Sequence, residues 1–144
     1  MTNPIQFGNP VGEFRTRPCA YAVVFDGGNL LCLEVRGRLH LPGGGVDPGE
    51  DAKSAIVREI FEETGYRAEA GEEIGMANQF FATTREGSPL NKAATFYRAT
   101  VDMSSGGVGQ EADHLVRWVP TAEFLGSTAG DFQKWAVRQT IATL

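Results

Sequence analysis

Glu59, Glu62 and Glu63 fall within one arc of any helix that carries them, because each helical residue advances by about 100°. Ile56, Val57 and Ile60 occupy the arc beside it, so the carboxylates border an apolar face. Helical neighbours lie about 5–6 Å apart, and near a protein surface each ionised pair costs about 3 kcal/mol. A hard divalent cation removes that cost and takes oxygen ligands of this kind. Arg58 offers a second counter-charge: it can pair with Glu62 one turn on, or reach back to Glu50 and fix the orientation of a carboxylate. On the carboxylates alone, a solvated acidic helix face explains the pattern better than a metal site does.

The charge of the whole chain narrows the chemistry. A formal net charge of -5 and the lack of a Lys/Arg stripe exclude a broad electrostatic grip on a nucleic-acid polymer. An acidic chain that handles phosphate must take positive charge from elsewhere, and a bound divalent cation is the simplest source. Gly43-Gly44-Gly45 lacks the Gly-Lys-Ser/Thr that would make it a phosphate-cradling P-loop. His40 and His114 stand far in sequence from Cys19 and Cys32, which argues against zinc.

These residues need elements to hold them. Asp47 as cap, Pro48 in the first turn, Glu50 three residues after Asp47 and Gly65 as stop predict a helix from Pro48 or Glu50 to Thr64. Residues 18–25 and 30–35 read as a β-hairpin around Asp26-Gly27-Gly28-Asn29. Residues 39–41 form a short strand that ends at Pro42 and the glycine run, where no regular element continues easily. Further strands are expected at 66–70, 74–83, 93–101 and 115–119, a helical turn at 120–125, and a closing helix at 131–144 that packs through Phe132, Trp135, Ala136 and Ile141. The order predicts an α/β fold, a mixed β-sheet with flanking helices, in a single domain over 1–144 with 1–16 as a lead-in. Both cysteines sit in apolar strand-like surroundings and read as packed thiols. With neither a secretory leader nor a membrane-length apolar run, the expectation is a cytoplasmic protein.

Gly44, five residues, Glu50, seven residues, then Arg58-Glu59-Ile60-Phe61-Glu62-Glu63-Thr64-Gly65-Tyr66 resembles the Nudix box. Every fixed polar and glycine position from 44 to 66 is met; the departure is Tyr66, where an aliphatic residue is usual. The resemblance implies a Nudix α/β/α sandwich and a loop, helix, loop motif that uses Mg²⁺ (or Mn²⁺). By that resemblance Glu59, Glu62 and Glu63 hold metal, the Gly43 carbonyl assists, and Glu50 orients or lies in an outer shell. A loop carboxylate serves as general base in such enzymes; Glu111 is the candidate and Asp113 the runner-up, against the alternative of a solvated loop acid. Gly43 and Gly44 would lie against the substrate, and Phe81 is the candidate to stack on a base.

The resemblance also points to a general MutT-like member, because Phe80 and Phe81 stand where subfamilies acting on ADP-ribose or dinucleoside polyphosphates tend to carry proline or tyrosine. The expected reaction is cleavage of a nucleoside triphosphate, oxidised or not, to monophosphate and pyrophosphate. The alternatives are an ADP-ribose or nucleoside diphosphate sugar hydrolase and a nucleotide-sensing module without turnover. The expected partner is a nucleotide-like small molecule and neither a nucleic-acid polymer nor a membrane; an exposed sheet edge leaves room for a homodimer.

Overall fold

A computed structural model describes residues 3–82, 84, 87–109 and 112–144. At its centre, β2 (Arg15–Val23) and β8 (Leu90–Val101) run parallel, with Arg17 beside Lys92, Cys19 beside Ala94 and Tyr21 beside Phe96. The antiparallel β7 (Ala68–Phe81) lies outside β8, and β1 (Ile5–Phe7) runs parallel to β7 at that edge. On the other side of β2 lies β6 (Gly43–Gly45), antiparallel, giving a five-stranded mixed sheet. A second sheet gathers around β4 (Asn29–Val35), which pairs with β3 (Phe25–Asp26), β5 (Arg38–His40) and β9 (His114–Pro120).

Among the described residues, three helices complete the α/β/α sandwich: α1 (Ala52–Thr64), α2 (Thr121–Leu125) and α3 (Asp131–Ala142). Alternation along β2 decides which helix each residue meets, since successive strand side chains point to opposite faces. Ala20, Ala22 and Val24 join Ala55, Ile56 and Ile60 of α1 in one core cluster. Tyr21 and Val23 join Phe96 of β8 and Phe132, Ala136 and Val137 of α3 in the other. Burying Ile56 and Ile60 contributes about 1.5–3 kcal/mol each, which helps to hold α1 against the sheet face that carries Ala20, Ala22, Leu31 and Tyr97.

Four sequence expectations change. The hairpin shrinks to Phe25–Asp26 against Asn29 and Leu30, because β2 leaves it to pair with β6 and β8. The glycine run is itself a strand. The predicted strands 66–70 and 74–83 merge into β7, whose register shifts between Ala70 and Gly75 without ending it. The lead-in contains β1 and the start of β2. Tyr66, the departure from the box, is buried, and its hydroxyl accepts a hydrogen bond from Trp118 Nε1 at 3.1 Å. Cys19 and Cys32 are free and buried, and burial pushes the Cys32 thiol up to about 12. Among the described residues no helix is long and apolar enough to cross a membrane.

Candidate active site

The site begins at the entry to α1. Asp51, and not Asp47, caps the helix: its Oδ1 accepts from the Ser54 N–H at 2.7 Å. Gly49 has φ +81°, a left-handed conformation that a helix cannot include, so the chain turns there and α1 starts after it. Asp47 and Glu50 close that turn on themselves. The Glu50 N–H donates to the Asp47 carbonyl and the Asp47 N–H to Glu50 Oε1, each at 3.0 Å. The turn holds Glu50 facing Arg58, whose Nε and Nη2 donate to its two carboxylate oxygens at 2.8 and 2.9 Å.

Arg58 is the hub of the acidic face. Beyond Glu50, its Nη1 donates to Glu59 Oε1 at 3.2 Å and Glu62 Oε2 at 3.3 Å, and its Nη2 to the Gly45 carbonyl at 3.2 Å. The Arg58 hydrogen bonds, with a smaller contribution from the Asp47 N–H, hold the Glu50 carboxyl down at about 2. The same pairing raises the Arg58 guanidinium above its ordinary value. A planar guanidinium with fixed donors sets the orientation of every group it bonds, so both alternatives for Arg58, Glu50 and Glu62, occur together.

Glu63 takes a different partner. It is buried, and its Oε1 accepts the Gly43 N–H at 2.8 Å, which ties α1 to β6. The three glycines of β6 allow this close approach on both faces. A Cβ on Gly44 would lie 2.9 Å from Glu59 Oε1, and one on Gly43, already at φ +144°, would lie 2.7 Å from the Tyr21 Cα. A Cβ on Gly45 would meet the Arg17 guanidinium, 2.6 Å from its Nε. The strand is thus a backbone strip without side chains, bordered on one face by the glutamates of α1.

Beyond β6, a cleft of ≈ 240 Å³ is lined by Tyr21, His40, Gly43, Glu63, Lys92 and His114, among others. Burial holds the His40 imidazole down at about 4, so it is neutral at pH 7. Phe81 ends β7 half-buried, with the Lys92 ammonium 5.4 Å from its ring centre, while Phe80 packs edge-on against Phe14. Asp113 is exposed and lies 4.0 Å from His114 Nε2. Glu111 lies outside the described residues. A wider hollow of ≈ 630 Å³ beside Lys53, Val57 and Ala70 borders Arg58 but none of the three glutamates.

Among the described residues no three His, Cys, Asp or Glu side chains converge as a finished metal cage. Arg58 draws Glu59 and Glu62 toward itself, and Gly43 holds Glu63. The donor set nevertheless fits a hard divalent cation: three carboxylates share one helix border, and the missing Cβ of Gly44 lets the Glu59 carboxylate lie against the β6 backbone.

A model of the NUDIX domain matches residues 15–140. The chain belongs to the NUDIX family. Over 36 residues it is 64% identical to the "Putative 8-oxo-dGTP diphosphatase" of Bacillus subtilis (strain 168), a match that spans 25% of this chain and 24% of that protein. Its fold is similar to a NUDIX hydrolase from Nitrosomonas europaea, with a TM-score of 0.77, 19% identity and 90% of each chain covered. It is also similar to a MutT NUDIX hydrolase from Burkholderia pseudomallei, with a TM-score of 0.70, 23% identity and 87% and 98% of the two chains covered.

In this Nudix chain the box residues 44–66 form β6, the capped turn and α1, and they bring Gly43, Gly44, Arg58, Glu59, Glu62 and Glu63 together. Phe81 is not on these elements; its ring lies 5.4 Å from the ammonium of Lys92, which lines the same cleft as Gly43, Gly44 and Glu63. Sequence reasoning passed over Arg17 and Lys92. The signal was present: Lys92 lies two and four residues before the core residues Ala94 and Phe96, a spacing that puts a cation on a buried strand face.

Proposed function

We propose that this Nudix chain hydrolyses a diphosphate linkage with the help of Mg²⁺ or Mn²⁺, and that its substrate is a nucleoside triphosphate, normal or oxidised, cut to monophosphate and pyrophosphate. One observation carries the reading: the Arg58-ordered carboxylates of α1 stand against a strand of three glycines, whose missing side chains let the Glu59 carboxylate close on the backbone at Gly44. Glu59, Glu62 and Glu63 would hold the cation. Bound there, it supplies positive charge against the phosphate oxygens and makes an attacking water more acidic.

The protein groups have separate tasks. Arg58 keeps Glu50, Glu59 and Glu62 from rotating away, and the Gly43 N–H keeps Glu63 at the strip. Glu111 is proposed as the general base that takes the proton from the attacking water. In support, Gly109, two residues earlier in the chain, packs its backbone against the Glu63 carbonyl. Phe81 offers a ring face for the base. Support for an oxidised purine is the similarity to the Bacillus subtilis "Putative 8-oxo-dGTP diphosphatase", of whose length this chain matches about a quarter.

The test is a panel of normal and oxidised nucleoside triphosphates, ADP-ribose and nucleoside diphosphate sugars, incubated with Mg²⁺ and added pyrophosphatase while phosphate release is measured. Release from triphosphates, strongest with an oxidised purine, is expected. Turnover confined to ADP-ribose or a nucleotide sugar would replace the substrate, and tight binding without turnover of any member would make the protein a nucleotide sensor.

A further inference from the structure

Two cations stand on the face of the sheet opposite Glu59. Arg17 and Lys92 are register partners on the parallel strands β2 and β8, so their side chains share a face. Further along that face stand Cys19 with Ala94 and Tyr21 with Phe96, where Phe132 and Trp135 of α3 cover Phe96 at ring distances of 5.6 and 6.0 Å. The Arg17 guanidinium fills the place where a side chain on Gly45 would project. Lys92 lines the same cleft as Gly43 and Glu63.

Among the described residues neither cation has a carboxylate within 4.0 Å. Burial holds the Lys92 ammonium below its ordinary value, and Arg17 and Arg38 push it the same way. Packing two cations side by side without a fixed anion costs free energy, and a ligand that brings negative charge recovers it. Adjacent residues of a strand point to opposite faces and rise by about 3.3 Å each, so Gly44 meets Glu59 on one side while Gly45 meets Arg17 on the other. A phosphate chain lying along β6 would therefore have the acidic border on one flank and two cations on the other.

We propose that Arg17 and Lys92 form an anion-binding corner that grips the phosphate chain of the substrate from the side of β6 opposite Glu59, and that Gly45 is glycine to admit the Arg17 guanidinium. The assignment rests on the diphosphate-hydrolase reading, which it deepens by naming the residues that position the phosphates. Arg17 supplies a planar fork of donors, and Lys92 supplies a point charge in a partly dry cleft. Both are positioning residues.

Isothermal titration of inorganic pyrophosphate in saturating Mg²⁺ tests this without turnover. Arg17→Ala and Lys92→Met should each weaken binding roughly 10-fold or more, as loss of a charge-assisted hydrogen bond does. Gly45→Ala should weaken it similarly by displacing the guanidinium, and adding Arg17→Ala to it should cost little more, because both changes remove one contact. The double variant Arg17→Ala/Gly45→Lys should recover most of the affinity, since Gly45 has no positive φ and a lysine there would project into the vacated space. Circular dichroism with a melting curve separates binding loss from unfolding, and Arg17→Lys, a milder change, should retain intermediate affinity. Unchanged pyrophosphate affinity in folded Arg17→Ala and Lys92→Met overturns the corner, as does a wild-type protein that fails to bind pyrophosphate. Pyrophosphate binding lost in both variants, with no nucleotide turned over by the wild type, would sustain the corner and sink the hydrolase reading. Nucleotide turnover with pyrophosphate affinity unchanged by the substitutions would do the reverse.

Discussion

The helices α1 and α3 cover opposite faces of one sheet and are held there by different means. On the α3 side, Phe132 packs edge-on against both Tyr21 and Phe96 at 5.6 Å, and Trp135 meets Phe96 at 6.0 Å. Its N-cap residue, Gly130, has no side chain to cap with, and the Phe132 N–H donates to Gln79 Oε1 at 3.4 Å. On the α1 side the helix brings no buried ring: Ala55, Ile56 and Ile60 share a cluster with Ala20, Ala22, Leu31 and Tyr97. Placement there comes from directed bonds: the Asp51 cap, the left-handed Gly65 stop at φ +74°, the Glu63 to Gly43 tie and the Arg58 hub. Ring packing tolerates small shifts, whereas directed hydrogen bonds fix a carboxylate to tenths of an ångström, and chemistry at a phosphorus needs that. One face stores stability and the other stores geometry.

Substitutions on the two sides should therefore fail differently. The largest loss is expected from Gly44→Val: a branched side chain placed against Glu59 should lower turnover by about three orders of magnitude, or ~4 kcal/mol of transition-state stabilisation, while the melting temperature stays near that of the wild type. A soluble Gly44→Val variant with unaltered turnover would show that the strip is only a connector. Next comes Glu111→Gln, for which a general base predicts a loss of about 10²–10⁴ in rate, metal binding nearly intact and partial recovery as pH rises. Rates indistinguishable from wild type would reduce Glu111 to a loop acid.

Phe132→Ala should act in the opposite sense. Removing a buried ring that contacts two others costs about 3–5 kcal/mol of stability by denaturant titration, yet the folded fraction should keep its kcat. A large fall in kcat with stability unchanged would erase the distinction between the faces. The smallest effect is a pH slope. His40 is held at about 4 against an ordinary 6.5, so the unfolded chain gains a proton before the folded chain does. Stability should fall as pH drops from 6.5 toward 4 and level off below, and His40→Gln should flatten that stretch. An identical slope in the variant would assign it to another group.

The same contrast explains what could be read from the sequence. The α3 side was legible because Phe132, Trp135 and Ala136 recur at helical spacing, and the box was legible because its spacing is rigid. The start of α1 was not, because Asp47 and Asp51 each precede a group able to answer a cap, and only the turn at Gly49 decides between them. That three glycines form a strand was hidden because glycine is depleted in strands, and the reason for them, close approach of Glu59, Tyr21 and Arg17, comes from elsewhere in the chain. The departure of β2 from its hairpin was hidden for a similar reason: its partner β8 lies far along the chain, and local pattern carries no information about such pairing.

The central claim is that the carboxylates of α1 hold a divalent cation that the reaction requires, and Glu63 tests it most directly. Glu63→Gln preserves shape and can still accept from the Gly43 N–H, but it removes one charge. Mn²⁺ binding followed by electron paramagnetic resonance, alongside turnover with the best triphosphate, should show tight Mn²⁺ binding and chelator-sensitive activity in the wild type. In the variant, Mn²⁺ affinity should collapse and the rate should fall by about three orders of magnitude or more. Normal Mn²⁺ affinity together with wild-type turnover in Glu63→Gln, or full wild-type activity in excess chelator, would contradict the account.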